Sequence, residues 1–195
     1  FADELDVSRG SIREALLLLE RTHLIEIYPR RGAVVSEMSA QQVSALFDIL
    51  GILLGKIVER LADTLPAHEI ENLKKLLEKL TEECNLGHTE KFYDLIFNEL
   101  FKHQEEVNNS YLMKYYKELL PSLRRSYFLT LNTSKTELQE SLELFKLVVI
   151  AIVSRNSQQA AINMQDFCRH LRDLVLESLA RMKQIELAWA RRSRR

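Results

Sequence analysis

Apolar residues recur at intervals of three and four along most of this chain, the periodicity of helices that bury one face. The first such stripe is Ile12, Ala15, Leu16 and Leu19. Ser8 stands just ahead of it, where a hydroxyl can accept a bond from an otherwise unpaired first-turn amide. Arg9 and Arg13 are four apart and share another face of that helix. Two forked guanidinium groups on exposed first turns match what guanine edges and phosphates require, although a solvated amphipathic helix with ordinary surface arginines has the same pattern. The segment after the helix separates these alternatives. Leu24-Ile25-Glu26-Ile27-Tyr28 and Ala33-Val34-Val35 predict two short strands, and Pro29-Arg30-Arg31-Gly32 predicts the turn between them, with Gly32 supplying the unusual backbone angle. A helix followed by a small hairpin with a basic tip is the layout of a winged helix. The helix would enter the major groove, while Arg31 reaches phosphate or the minor groove.

From residue 39 onward the pattern is helical almost without interruption. Residues 39–64 predict one long helix, apolar on more than one face. Pro66 opens a second, with Ile70, Leu73, Leu76, Leu77 and Leu80 at heptad-like spacing and Asn85-Leu86-Gly87 at its end. A third is predicted over 89–106. A fourth covers 110–131 and should be kinked or split by Pro121. The fifth, 135–154, holds a single charge, Lys146, between Leu144 and Val153, and so belongs in the middle of a bundle. The last runs from 157 past Leu179 into the basic tail 191–195, a solvated end that could also touch DNA or another acidic partner. Gly51 and Gly55, four apart on the first long helix, allow a neighbouring helix or a ligand to come close, with packing the commoner reason.

The stretch from Leu5 to Leu16, with Leu24-Ile25 and Arg31-Gly32-Ala33-Val34-Val35, resembles the GntR family of bacterial transcription regulators. That resemblance implies a DNA-contacting set of Ser8, Arg9, Ser11, Arg13, Arg31 and Gly32, in which the three arginines read the operator. In the family a further helix precedes this segment. The chain begins with Phe1-Ala2-Asp3-Glu4-Leu5, inside the second, and is expected to be part of a longer polypeptide whose winged domain would otherwise expose apolar surface.

Charge adds a constraint. The 195 residues sum to a net charge of −1, and positions 1–36 carry five arginines against six acids. Any attraction to DNA must therefore come from how charges are placed. The two cysteines, Cys84 and Cys168, form no CxxC pair, so neither a disulfide framework nor a zinc finger is suggested, in keeping with a reducing cytoplasm. There is no signal peptide, and apolar runs such as 49–55 are too short to cross a bilayer. A Gly-rich phosphate loop, a GxSxG elbow and an HExxH pair are all missing from the sequence, so it offers no enzyme motif.

A helical bundle of about six helices behind such a winged unit resembles the FadR-like subgroup, whose carboxy-terminal domain is called FCD. The fold expected is mainly α: a winged helix-turn-helix domain over 1–36, a linker over 37–40, an all-helical effector-binding and dimerisation domain over 41–190 and the tail. Many FCD domains hold a metal through an aspartate and three histidines. Matched position by position, Asp94 is kept, while Asn98, Phe145 and Phe167 stand where the histidines would be. Asparagine is a poor ligand for transition metals and phenylalanine is none, so no metal and no other cofactor is expected. A shifted site from Asp94, His103 and His170 is the alternative; His23, His68 and His88 fall at predicted helix ends or loops. In the subgroup the first long helix often carries an arginine and a glutamate where this chain has Leu50 and Leu54. The expected effector pocket is thus Leu50, Leu54, Asp94, Asn98, Phe145 and Phe167, suited to a largely apolar molecule such as a fatty acyl compound or an aromatic.

The expected function is a cytoplasmic DNA-binding regulator, in the repressor sense, reading a palindromic double-stranded operator as a homodimer. Alternatives are a metal-dependent carboxylate sensor of the same family, a filled pocket with no effector, and a helical interaction module.

Overall fold

Ser8 opens the winged unit in the expected way. In the computed structural model, which describes residues 5–22, 24–130 and 134–192 (the last three by backbone alone), its hydroxyl oxygen accepts from the Ser11 amide at 3.0 Å. Helix α1 (Arg9–Arg21) follows. Strands β1 (Ile25–Tyr28) and β2 (Gly32–Val35) pair antiparallel, with Ile25 opposite Val35 and Tyr28 opposite Gly32. The turn needs two residues in the left-handed region: Gly32, as expected, and also Arg30 (φ 66°). Glu20 ties helix to hairpin by accepting from the Ile27 amide at 3.2 Å. No residue of α1 is fully buried, and Leu18 and Val35 are 61% and 72% exposed. Residues 1–4 and His23 lie outside the described residues.

The bundle begins at α2 (Ala40–Thr64), closed at its start by a capping box. Ser39 accepts from the Gln42 amide, and the Gln42 side chain accepts from the Ser39 amide. The linker is thus one residue shorter than the expected 37–40, because Ala40 is already helical. Helix α3 (Ala67–Leu86) starts after Pro66, which needs no amide partner there, and stops at Gly87 in the left-handed conformation (φ 72°). Helix α4 (Thr89–Lys102) ends earlier than predicted: the backbone breaks at His103, and a single turn, α5 (Gln104–Val107), follows. The break lets Val107 drop fully into the core, while Arg60 of α2 donates to its carbonyl at 2.8 Å.

Helix α6 (Ser110–Phe128) continues through Pro121, so of the kink or split expected there the split does not occur, and it ends three residues short of 131, a position outside the described residues. The carbonyl that Pro121 leaves without an amide belongs to exposed Lys117, and buried Leu123 and Tyr127 hold the following turn against the core. Helix α7 (Lys135–Val153) has a second capping box at Ser134 and Glu137. The connection to α8 (Ser157–Arg192) passes through Arg155 (φ 59°). The Arg155 guanidinium donates to Ala62 O (3.0 Å) and Leu65 O (2.5 Å), satisfying carbonyls at the end of α2. Helices α2 and α8 run closely together: a Cβ on Gly55 would meet Gln165 Nε2 at 3.3 Å and Ala161 O at 3.4 Å. Gly55 therefore serves packing, whereas a Cβ on Gly51 would meet nothing nearer than 4.0 Å. From Ala180 to Trp189 α8 is exposed, and of the basic tail 191–195 residues 193–195 lie outside the described residues.

Candidate nucleic-acid interface and effector region

Ser8, Arg9, Ser11 and Arg13 all lie exposed on the first turns of α1. The cap is doubled, since Ser11 Oγ also lies 2.9 Å from Ser8 Oγ. The first turn carries no acidic side chain, so the partial positive charge of the free amides is not offset locally. Arg31 stands exposed in the turn of the hairpin beside exposed Gly32, where a Cβ would meet nothing within 4 Å. A cationic helix start and a cationic loop with an open backbone can contact phosphates and, in a groove, base edges. Arg30, also exposed at the tip, belongs with this set and was missed by the sequence argument, although its adjacency to Arg31 was the available signal.

The residues expected to line a pocket divide into two groups. Leu50, Leu54, Phe145 and Phe167 converge at the bundle centre, none more than 2% exposed. The Phe145 and Phe167 rings lie 5.6 Å apart, and Phe167 continues to Phe97 (6.3 Å) and Tyr93 (6.4 Å). Phe97 in turn stacks with Tyr127 at 5.8 Å. These rings fill the centre, and Tyr93, Phe97 and Tyr127 were not anticipated. Asp94 and Asn98 lie to one side, at the surface end of the cluster. Asp94 accepts from the Tyr127 hydroxyl and faces Arg124 Nε at 3.3 Å, while Arg124 donates to Asn98 Oδ1 at 2.8 Å. Burial and the hydrogen bond to Asp94 both push the Tyr127 phenol well up, so it stays a neutral donor. A surface depression of about 390 Å³ lies over Asp94, Arg124 and Tyr127.

This donor set does not fit a metal: Asp94 Oδ1 and Asn98 Oδ1 already accept from Tyr127 and Arg124, and the two phenylalanines offer no lone pair. His103 and His170 are not brought to Asp94. His103 is buried, with Nε2 3.5 Å from Glu99 and Nδ1 3.9 Å from Glu106. His170 Nε2 lies 2.9 Å from Ser141 Oγ, which is itself 3.0 Å from the Tyr93 hydroxyl. Among the described residues no group of three or more His, Cys, Asp or Glu side chains is placed to hold a metal ion. Both cysteines are buried, and burial pushes the Cys168 thiol up to about 12, which keeps it protonated and unreactive.

Comparison with known proteins decides the class. Residues 45–173 match the family model described as the FCD domain. The chain belongs to the FCD-domain family. It is 27% identical over 180 residues to the gluconate operon transcriptional repressor of Bacillus licheniformis, covering 91% of this chain and 68% of that protein. It is 25% identical over 184 residues to the HTH-type transcriptional regulator YdhC of Bacillus subtilis, covering 90% and 80%. Among solved structures, Escherichia coli McbR/YncC superposes with a TM-score of 0.69 at 20% identity, over 95% of this chain and 84% of that one. A Streptococcus agalactiae GntR gives 0.56 at 20% identity, over 88% and 85%. The FCD protein is a GntR-type transcription regulator rather than an enzyme. No described helix is long and apolar enough to cross a membrane.

Side-chain hydrogen bonds from α6 join the winged unit to the FCD bundle. Ser122 donates to the carbonyl of Thr22, which caps α1, at 3.1 Å. Arg125 donates to Ser36 Oγ at 2.8 Å. Neighbouring Arg124 holds Asp94 and Asn98, so a single stretch of α6 touches both the winged unit and the polar edge of the aromatic cluster.

Proposed function

We propose that this protein is a cytoplasmic repressor that reads a palindromic operator as a homodimer and responds to a small, largely apolar molecule held by its helical domain. The observation that carries the DNA-binding part is the placement of Arg9 and Arg13, exposed at the serine-capped start of α1, beside a hairpin whose turn presents Arg31. Arg9 and Arg13 reach base edges, Arg31 reaches phosphate or the minor groove, and the Ser8, Ser11 and Gly32 backbone sits close to the sugar–phosphate chain. One such helix reads only a few base pairs, so two copies related by a two-fold axis supply the affinity of a regulator. The repressor sense follows the relatives named as gluconate operon repressors.

The aromatic filling around Phe145 and Phe167 offers no polar group to a sugar acid, and the engagement of Asp94 and Asn98 by Tyr127 and Arg124 disfavours metal-assisted carboxylate sensing there. An effector acts by binding one seating of the winged units more tightly than another, and only that difference can shift operator affinity. Selection from a random pool of double-stranded DNA tests this function. An inverted repeat bound by two protomers is expected; no enrichment, or an enriched site without symmetry, contradicts it.

A further inference from the structure

The open apolar space lies away from the bundle centre, at the join of the two units. A cleft of about 300 Å³ runs between the linker, the start of α2 and the later half of α6. That is the lower end of the range for small-molecule sites, roughly 300–1,000 Å³. Met38, Ile49 and Leu119 give it an apolar wall, and Ile49 is left 43% exposed on a helix whose neighbours Leu46 and Leu50 are buried. Two charges border it: Glu37, exposed on the linker, and Arg125, half-buried on α6. The half-buried guanidinium is the less screened of the two, so the cleft favours an anion over a cation. Its polar wall is also the interdomain tie, because Ser122 and Arg125 line the cleft and hold Thr22 and Ser36.

We propose that this cleft binds a small organic monocarboxylate with an apolar body, and that the carboxylate takes Arg125 from Ser36. This rests on the reading of the protein as a ligand-responsive DNA-binding regulator and gives that reading a site. The apolar body covers Met38, Ile49 and Leu119. The carboxylate replaces a neutral hydroxyl acceptor with a charged one, so the guanidinium exchanges a single hydrogen bond for an ion pair whose two oxygens can accept in parallel. The winged unit then loses the Arg125–Ser36 tie to α6 and reseats, which changes the spacing of the two recognition helices. The bundle centre needs no opening in this scheme.

The test titrates the protein with octanoate while following the methyl signals of Met38, Ile49 and Leu119 against those of Leu50 and Leu54. Saturable shifts at the first three, with the last two unmoved, are expected. Ala45→Trp, which fills the cleft from an exposed lining position, should abolish them. Octan-1-ol, lacking the charge, should bind at least about 10-fold more weakly. Octanoate should change operator affinity by at least about 5-fold. Shifts that appear first at Leu50 and Leu54, an Ala45→Trp variant that binds like the wild type, equal binding of octanol, or a saturated cleft with unchanged operator affinity would each overturn the proposal. Operator binding by the ligand-free protein is measured separately: its absence contradicts the regulator reading, while a saturating cleft still stands as a binding site.

Discussion

Phe167→Ala separates a packed bundle centre from a ligand pocket. The ring is fully buried, with three aromatic neighbours whose centroids lie within 6.4 Å. Truncating a core phenylalanine costs about 3–5 kcal/mol through lost transfer energy and the residual cavity. Each aromatic pair is worth about 0.5–1.5 kcal/mol beyond its area, which puts this site in the upper half of that range, about 4 kcal/mol. For a chain of this size each kcal/mol shifts Tm by about 2–4 °C, so the midpoint should fall by about 8–16 °C. Calorimetry and guanidinium denaturation give the two numbers independently, and operator affinity well below the transition should be unchanged. Benzene, which fits the new cavity, should restore part of the loss in the variant and leave the wild type unaffected. A loss under about 1 kcal/mol, or stabilisation of the wild type by benzene, would mean that the rings at Phe145 and Phe167 border usable space, and the filled-centre account would fail.

Further outcomes follow from single contacts. The neighbouring His103 imidazole and then the Lys102 ammonium hold the Glu99 carboxyl down to about 2 from an ordinary 4.5, so its stabilisation is present above that ordinary value and is lost as pH falls from about 4.5 through about 2. Glu99→Gln should therefore destabilise near neutrality, by an amount that shrinks below about pH 4.5 and vanishes below about pH 2, as read by urea denaturation across that window. Gly51→Ala should stabilise by about 0.5–1 kcal/mol, since its Cβ would meet nothing nearer than 4.0 Å. Gly55→Leu should cost about 1–3 kcal/mol in thermal unfolding by wedging α2 from Ala161 and Gln165 of α8.

The winged unit was legible because its signals are short-range. The Ser8 cap, the apolar stripe behind it and the Pro29-to-Gly32 turn each occupy a handful of neighbouring residues. The capping box at Ser39 and the Gly87 stop mark their helix ends for the same reason. Contacts between distant residues were not legible. The ties of Ser122 to Thr22 and of Arg125 to Ser36 span 100 and 89 residues, and nothing in either segment alone specifies its partner. Periodicity carried α4 through His103, because a buried histidine reads as one more helical position, and the Arg60 bond to Val107 that accompanies the break spans 47 residues. Pro121 led the local rule astray in the other direction: tertiary packing of Leu123 and Tyr127 keeps α6 continuous. At the candidate pocket the substitutions at Leu50, Leu54, Phe145 and Phe167 were visible one by one. That Tyr93, Phe97 and Tyr127 complete the filling depends on how α4 and α6 meet.

The central claim is that Arg9 and Arg13 on α1 and Arg31 on the hairpin carry operator recognition. Fluorescence anisotropy on the selected operator, and on the same duplex with its conserved bases changed, tests it with the single alanine variants. A bidentate arginine–guanine pair contributes about 1–3 kcal/mol of discrimination, so Arg9→Ala or Arg13→Ala should lower specific affinity by about 5- to 150-fold and relax preference at one base position. Arg31→Ala should weaken binding to both duplexes alike and reduce the salt dependence by about one phosphate contact. Helical content and the thermal midpoint should not move, because these side chains are exposed. Variants of Arg9 and Arg13 that bind the operator with wild-type affinity and selectivity would contradict the account at its root.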